Sequence, residues 1–134
     1  MLTKKESYNV AVVGATGIVG ESLLEILYSR RFPISSIHAV ASKKSKGSKA
    51  KFGDQLLTVE SLDEFNFTDI DIAFFSAGSS VSKEYATKAT TQGCIVIDNT
   101  SEFRYEQDIP LVVPEVNPKD IDLYKHKNII ANPN

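Results

Sequence analysis

Three glycines spaced three residues apart are the strongest chemical signal in this sequence: Gly14, Gly17 and Gly20. In such a triplet the first glycine permits a tight turn, the second lets the backbone approach a ligand, and the third lets a helix pack closely on a strand. The N–H groups at the start of the following helix have no partner within the helix and attract an anion. The triplet therefore predicts a site for the diphosphate of a dinucleotide. The alternative is a tight turn in another kind of α/β domain.

The residues on either side of the triplet make this interpretation more specific. Residues 10–13 are a short apolar run typical of a buried strand. The apolar residues of 19–27 recur with the spacing of one helix face, in a helix predicted over 17–30. Strand, glycine turn and helix in this order begin a dinucleotide-binding βαβ unit.

A lysine-rich segment, residues 42–51, follows the second predicted strand, 36–41. In a βαβ unit this position faces the adenosine ribose, and NAD sites carry Asp or Glu there to bind the 2′-hydroxyl. This segment has serines and lysines instead, which would bind a 2′-phosphate through charge-assisted hydrogen bonds. We therefore expect NADP rather than NAD. A solvated, mobile lysine loop is the alternative, and RNA binding is disfavoured because no aromatic residues interleave the lysines.

Small residues, 76–80, follow an apolar strand predicted over 70–75. At the carboxyl end of a strand in an open α/β sheet, small side chains let a ligand lie against the backbone. Ser79 or Ser80 could instead, or in addition, cap the helix predicted over 81–92.

Polar residues, 99–104, follow the next predicted strand, 94–98, and the same rule places them at the site. Arg104 is a candidate fork for an anion. The alternative for this side chain is a surface arginine paired with Glu102 or Asp108.

Length and composition bound the remaining possibilities. The chain has 134 residues, which is enough for one domain, and its net charge of −2 implies no general affinity for nucleic acid or anionic membranes. The only cysteine, Cys94, precedes an apolar run and is predicted to be a core residue rather than a nucleophile. His38 and His126 have no second ligand at metal-site spacing, so no metal site is expected.

The predicted elements alternate between strand and helix. They indicate a Rossmann-like, doubly wound α/β fold, with a mostly parallel sheet, helices on both faces and a single domain over residues 1–134. Other predicted elements are a strand over 55–60, short or edge strands over 111–113 and 115–117, a short helix over 118–125 with Asn117 as its N-cap, and a last strand over 128–131.

Five segments carry a family resemblance: 14–20, 75–78, 98–101 with Arg104, 113–117 and 130–134. Together they resemble the aspartate-semialdehyde dehydrogenase family over nearly the whole chain and in the family's order. The resemblance implies reductive dephosphorylation of β-aspartyl phosphate by NADPH, on the route to lysine, threonine, methionine and diaminopimelate. It implies an oxidoreductase that acts on small-molecule substrates as a homodimer or homotetramer. The balanced charge, the polar residues 1–7 and the absence of a long apolar run in the sequence make a cytoplasmic protein without nucleic-acid or membrane partners the expectation.

The resemblance also assigns residues to roles. The substrate-binding residues are Asn99, Arg104 and Asn134, with Arg104 on the substrate phosphate. The cofactor-binding residues are Gly14, Thr16, Gly17, Ile18, Val19, Gly20, Ser42, Lys44, Ser45, Ala77 and Gly78. Within that set the serines and the lysine hold the 2′-phosphate, and the last two residues border the nicotinamide.

The family's nucleophile is a cysteine that directly follows the Asn-Pro-Asn segment, and a histidine of a second domain is its acid/base. This sequence stops at Asn134, so we expect an NADP-binding fragment that turns nothing over. N-acetyl-γ-glutamyl-phosphate reductase and a non-catalytic NADP-binding sensor are the alternatives. The nucleotide interpretation requires the helix end at Gly17 to be open and to face the loop at Ser42.

Overall fold

A parallel sheet of six strands forms the centre of the protein, in a computed structural model that describes residues 2–134. Residues 2–134 form eight strands: β1 Tyr8–Val13, β2 Ile34–Ala41, β3 Lys49–Phe52, β4 Gln55–Thr58, β5 Glu60–Ser61, β6 Ile72–Phe75, β7 Ile95–Asp98 and β8 Ile129–Ala131. The order in the sheet is β5-β2-β1-β6-β7-β8, and every pairing is parallel. The order reverses direction between β1 and β6, which is where doubly wound folds bind their ligands.

Two α-helices cover opposite faces of this sheet: α1 Ile18–Ser29 and α2 Ser79–Thr91. Successive residues of β1 point to alternate faces. Val12 lies in one buried cluster with Leu24 of α1, whereas Val13 lies in the other with Ala86 of α2. The predicted doubly wound fold with helices on both faces is therefore confirmed.

Two glycines determine how α1 meets the end of β1. Gly14 has φ +93°, and a Cβ there would lie 2.8 Å from the carbonyl carbon of Ser76. A Cβ at Gly20 would lie only 2.0 Å from the carbonyl oxygen of Gly14. Because both positions lack side chains, α1 begins in direct contact with the carboxyl end of β1.

The lysine-rich segment contains regular secondary structure. Its start forms a 3-10 helix, Lys43–Ser45, and its end forms β3, which pairs with β4 in an antiparallel hairpin outside the main sheet. The strand predicted over 55–60 is therefore two strands, because β4 belongs to the hairpin whereas β5 pairs with β2. Lys46 also forms an ion pair with Glu64 at 2.9 Å.

The prediction of strands over 111–113 and 115–117 was wrong. Leu111 makes one isolated bridge to Ala131, and residues 114–116 form a turn. The prolines at 110, 114 and 118 have no N–H to give to a ladder. Asn117 satisfies the local backbone instead, since its Oδ1 accepts from the Val113 N–H at 2.7 Å and its Nδ2 donates to the Leu111 carbonyl at 2.8 Å.

The predicted serine cap of α2 was wrong, whereas Asn117 does occupy the predicted N-cap position before Pro118, although its side chain makes no cap bond. Gly78, with φ +98°, precedes α2, and neither Ser79 nor Ser80 caps it because α2 begins at Ser79. The helix after Asn117 is a 3-10 helix, Pro118–His126. Within residues 2–134 no helix has the length and apolar character needed to cross a membrane.

We predict that Gly20→Ala lowers the free energy of unfolding by about 3 kcal/mol, because the new methyl group must push α1 away from β1. Urea denaturation measures this change. Gly17→Ala is the matched control, since its Cβ would meet the Gly14 oxygen at an ordinary 3.5 Å, and we expect a loss of about 1 kcal/mol or less. An unchanged urea midpoint for Gly20→Ala would contradict the close packing.

Candidate dinucleotide and anion site

A groove of about 520 Å³ opens where β1, β2 and β6 end. The glycine turn contributes Gly14, Thr16 and Gly17 to its lining, the loop after β2 contributes Ser42, and the loop after β6 contributes Ala77. These five residues were all predicted to bind a cofactor. The end of α1 at Gly17 is open to the groove and shares it with Ser42, as the nucleotide interpretation required.

The amino end of α1 has the properties of an anion site. Gly17 occupies the N-cap position with φ −86°, and no side chain of residues 2–134 caps this helix. Its own N–H donates to the Gly14 carbonyl at 3.1 Å, which closes the turn. The N–H groups of the first helical turn therefore remain available to donate to a ligand, and the helix dipole adds to their attraction for an anion. An extended diphosphate fits this donor set.

Other predicted cofactor residues lie near the groove without lining it. Ile18 and Val19 follow Gly17 and are exposed, with 87% of Ile18 accessible. Lys44 and Ser45 belong to the 3-10 helix after Ser42. Gly20 is buried against the turn, where the absence of a side chain allows α1 to approach β1. Gly78 precedes α2. Their contact with a cofactor stays a prediction.

The groove lining also includes Lys43, from the predicted 2′-phosphate segment, and four residues that the sequence interpretation missed: Leu62, Asp63, Val81 and Tyr85. Lys43 lies next to the predicted Ser42 and Lys44. Leu62 and Asp63 directly follow β5, and that strand pairs with the end of β2 through Ala41 and Ser61. The pairing of β5 with β2 could not be predicted from the sequence. It brings Asp63 to the edge of the sheet beside the segment that follows β2, which has no acidic residue of its own.

Opposite charges therefore meet at the end of the groove. The Ser61 hydroxyl bonds to the Asp63 carboxylate, and this bond, aided by the charge of nearby Lys43, holds the pKa of Asp63 below its usual range. Asp63 is thus an anion at neutral pH. It can accept from a hydroxyl or amine and would oppose a phosphate, whereas Lys43 has the reverse preference.

A second set of polar groups surrounds Arg104. Its Nε donates to the Asn132 carbonyl at 3.0 Å, and its Nη2 donates to the Asn99 carbonyl at 3.0 Å. The Asn132 side chain also donates to the Asn99 side chain at 2.7 Å. The structure thus brings together three residues from the segments after β7 and β8, at the same edge as the groove.

Arg104 is held by carbonyl groups and not by carboxylates. None of the three salt bridges formed within residues 2–134 includes it, so the alternative pairing with Glu102 or Asp108 is not present. A guanidinium has five N–H donors, and two are used here, which leaves three for an anion. Asn134, the third predicted substrate residue, lies exposed two residues beyond Asn132.

Cys94 is a core residue, at the amino end of β7 and therefore at the edge of the sheet opposite the groove. Its side chain is fully buried, and this burial raises the pKa of the thiol to about 12. The residues that the structure describes include no group of three or more potential metal ligands.

Comparison with known proteins identifies the family that this chain resembles. The family model described as semialdehyde dehydrogenase, NAD binding domain, matches residues 9–124. A Rickettsia typhi aspartate-semialdehyde dehydrogenase is 56% identical over 133 residues, which are 99% of this chain and 39% of that protein. The chain therefore spans about two fifths of the length of this curated relative.

Solved structures that superpose on this chain include members of the same family. The structure of Vibrio cholerae aspartate semialdehyde dehydrogenase II complexed with ASA superposes with a TM-score of 0.93 at 48% identity, over 96% of this chain and 42% of that one. The structure of the Candida albicans enzyme with NADP superposes with a TM-score of 0.75 at 29% identity, over 95% of this chain and 42% of that one.

We predict that Cys94 of the folded protein resists alkylation by iodoacetamide at about pH 8, because a buried thiol with a raised pKa supplies almost no accessible thiolate. Intact mass before and after treatment measures the reaction. The same treatment in concentrated guanidinium chloride is the control, and there we expect one adduct. Rapid modification of the native protein would contradict a structural role.

Proposed function

The chain belongs to the semialdehyde dehydrogenase family, as its NAD-binding domain, and from this membership we propose that it holds NADP for an aspartate-semialdehyde dehydrogenase. The parent reaction would be the reductive dephosphorylation of β-aspartyl phosphate to aspartate semialdehyde. The observation that carries the proposal is the uncapped amino end of α1, which opens on a groove bordered by Ser42 and Ala77. Bound NADPH would supply the hydride for the reduction.

The distribution of residues along the groove supports an orientation for the dinucleotide. The glycine turn would hold the diphosphate in contact with Gly17, through the backbone N–H groups of Thr16, Ile18 and Val19, since the Gly17 N–H is used by the Gly14 carbonyl. Ser42, Lys43 and Lys44 would hold the adenosine 2′-phosphate, where the exposed ammonium groups attract it. Ala77 and Gly78 would border the nicotinamide, because they follow β6 on the other side of the switch point.

Arg104 supports the substrate side of the proposal. Its bonds to two backbone carbonyls fix the plane of the guanidinium, and its remaining donors suit the phosphate of an acyl phosphate. A fixed cation at this position would orient the substrate and stabilise phosphate as it departs. Asn99 and Asn134 would complete this anion site from the same edge of the sheet.

The reaction also needs a thiolate, and Cys94 does not supply one, since it is buried at the opposite edge. We therefore propose that these 134 residues bind NADP and contribute Arg104, whereas the nucleophile belongs to another part of the parent protein. Lysine, threonine, methionine and diaminopimelate synthesis, a cytoplasmic location and a homodimeric or homotetrameric parent are further parts of this proposal.

We predict that NADPH binds more tightly than NADH, by about tenfold or more, which corresponds to about 1.4 kcal/mol. Lys43→Ala and Lys44→Ala each weaken NADPH binding by about fivefold and leave NADH binding unchanged, because only NADPH carries the 2′-phosphate. Asp63→Asn strengthens NADPH binding, because it removes an anion that would repel the 2′-phosphate and that is attracted to Lys43. Fluorescence titration of the reduced nicotinamide measures each dissociation constant.

Lys125→Ala is the matched control for these titrations, since Lys125 is an exposed lysine of the 3-10 helix 118–126, outside the groove lining. It leaves both dissociation constants unchanged. Tighter binding of NADH than of NADPH to the wild-type chain, or equal losses for all three lysine variants, would contradict the assignment of a 2′-phosphate site.

We further predict that the purified 134-residue polypeptide forms no NADPH from NADP, aspartate semialdehyde and phosphate. The reason is that its one cysteine cannot reach a ligand in the groove. Absorbance of the reduced nicotinamide measures the reaction, and an authentic full-length aspartate-semialdehyde dehydrogenase is the positive control. Semialdehyde-dependent NADPH formation above background would contradict the assignment of the nucleophile to another part of the protein.

A further inference from the structure

Asp98 is a carboxylate in an unusual environment. It is the last residue of β7, its side chain is fully buried, and none of the salt bridges within residues 2–134 involves it. Two hydroxyl groups donate hydrogen bonds to this carboxylate instead. Ser82 Oγ donates to Oδ1 at 2.6 Å, and Thr100 Oγ1 donates to Oδ2 at 2.7 Å. A buried carboxylate is costly to desolvate, so its two satisfied oxygens indicate a fixed arrangement of both donors.

The two donors belong to different walls of the candidate site. Ser82 is in the first turn of α2 and is fully buried, and its neighbour Val81 lines the groove. Thr100 is in the loop that carries Arg104. The Asp98 carboxylate therefore joins the helix that borders the groove to the loop that holds the anion-binding arginine.

Further bonds make the connection continuous. Thr100 Oγ1 accepts from the Glu102 N–H at 3.2 Å, so the same hydroxyl shapes the loop beyond it. Ser79 Oγ and Ser101 Oγ lie 3.0 Å apart, which gives a second link between α2 and the loop. The carbonyl of Asp98 accepts from the Asn132 N–H at 3.0 Å.

That last contact reaches the arginine itself. Asn132 offers its carbonyl to Arg104 Nε, while Asn99, next to Asp98 in sequence, offers its carbonyl to Nη2. Both carbonyls that orient the guanidinium are thus placed by residues bonded or adjacent to Asp98. The Asp98 main chain makes these connections, and its carboxylate holds Thr100, the residue after Asn99, in the same loop.

We propose that Asp98 is a positioning residue for Arg104, which acts through the Thr100 and Ser82 hydroxyls and the frame of Asn99 and Asn132. The ligand that benefits, an acyl phosphate, rests on the proposed function, whereas the positioning itself rests only on the contacts above. The carboxylate sets the geometry of the anion site relative to the cofactor groove and makes no contact with substrate.

Thr100→Val tests the proposal, because it removes the hydroxyl at nearly constant shape and leaves the buried carboxylate with Ser82. We expect hydrogen exchange at Arg104 Nε–H, followed by nuclear magnetic resonance, to accelerate by about tenfold. We expect the dissociation constant of inorganic phosphate to rise by about fivefold while that of NADPH stays within about twofold. Thr100→Ser keeps the hydroxyl and restores wild-type values for both readouts.

Thr87→Val is the matched control, since it makes the same change on the exposed side of α2 and leaves exchange and binding unaltered. Unchanged exchange at Arg104 Nε–H in Thr100→Val, even with a lower melting temperature, would overturn the proposal and leave Thr100 a merely structural residue. If exchange responds as expected but phosphate binds neither to the wild type nor to any variant, the positioning stands and the anion function of Arg104 fails.

Discussion

The contact between α1 and the end of β1 is the constraint from which the rest of the site follows. Gly20 has no Cβ, so the helix approaches the carbonyl of Gly14 more closely than any other residue would allow. This approach puts an uncapped helix end at the carboxyl edge of a parallel sheet. Hydrophobic packing on both faces holds the sheet, and the unsatisfied donors at this one point are left for a ligand.

The sequence was sufficient to predict the parts of the fold that have strong local patterns. The β1–α1 turn has a glycine triplet between an apolar run and a helical repeat, and the structure contains each of these elements. Cys94 was placed correctly from its position before a buried strand. Arg104 was identified as a candidate from its place after β7, and the structure surrounds it with Asn99 and Asn132.

The sequence failed where pairing or competing local bonds decide the outcome. Asp63 reaches the groove because β5 pairs with β2, and a two-residue strand leaves no periodic signal that would predict this pairing. The serines after β6 looked like caps, but Ser79 bonds across to Ser101 instead. Asn117 satisfies a turn where a strand was predicted, since a side-chain amide can replace ladder bonds that prolines cannot make.

The direct measurement of the central claim is the change in backbone amide chemical shifts when NADPH is added to the isotopically labelled chain. The claim that the open end of α1 receives the diphosphate predicts the largest changes at the amides of Ile18 and Val19, the first residues of the helix, with Ser42 also affected. Changes confined to Tyr28 and Gly53, in the separate groove between α1 and the hairpin, would contradict it.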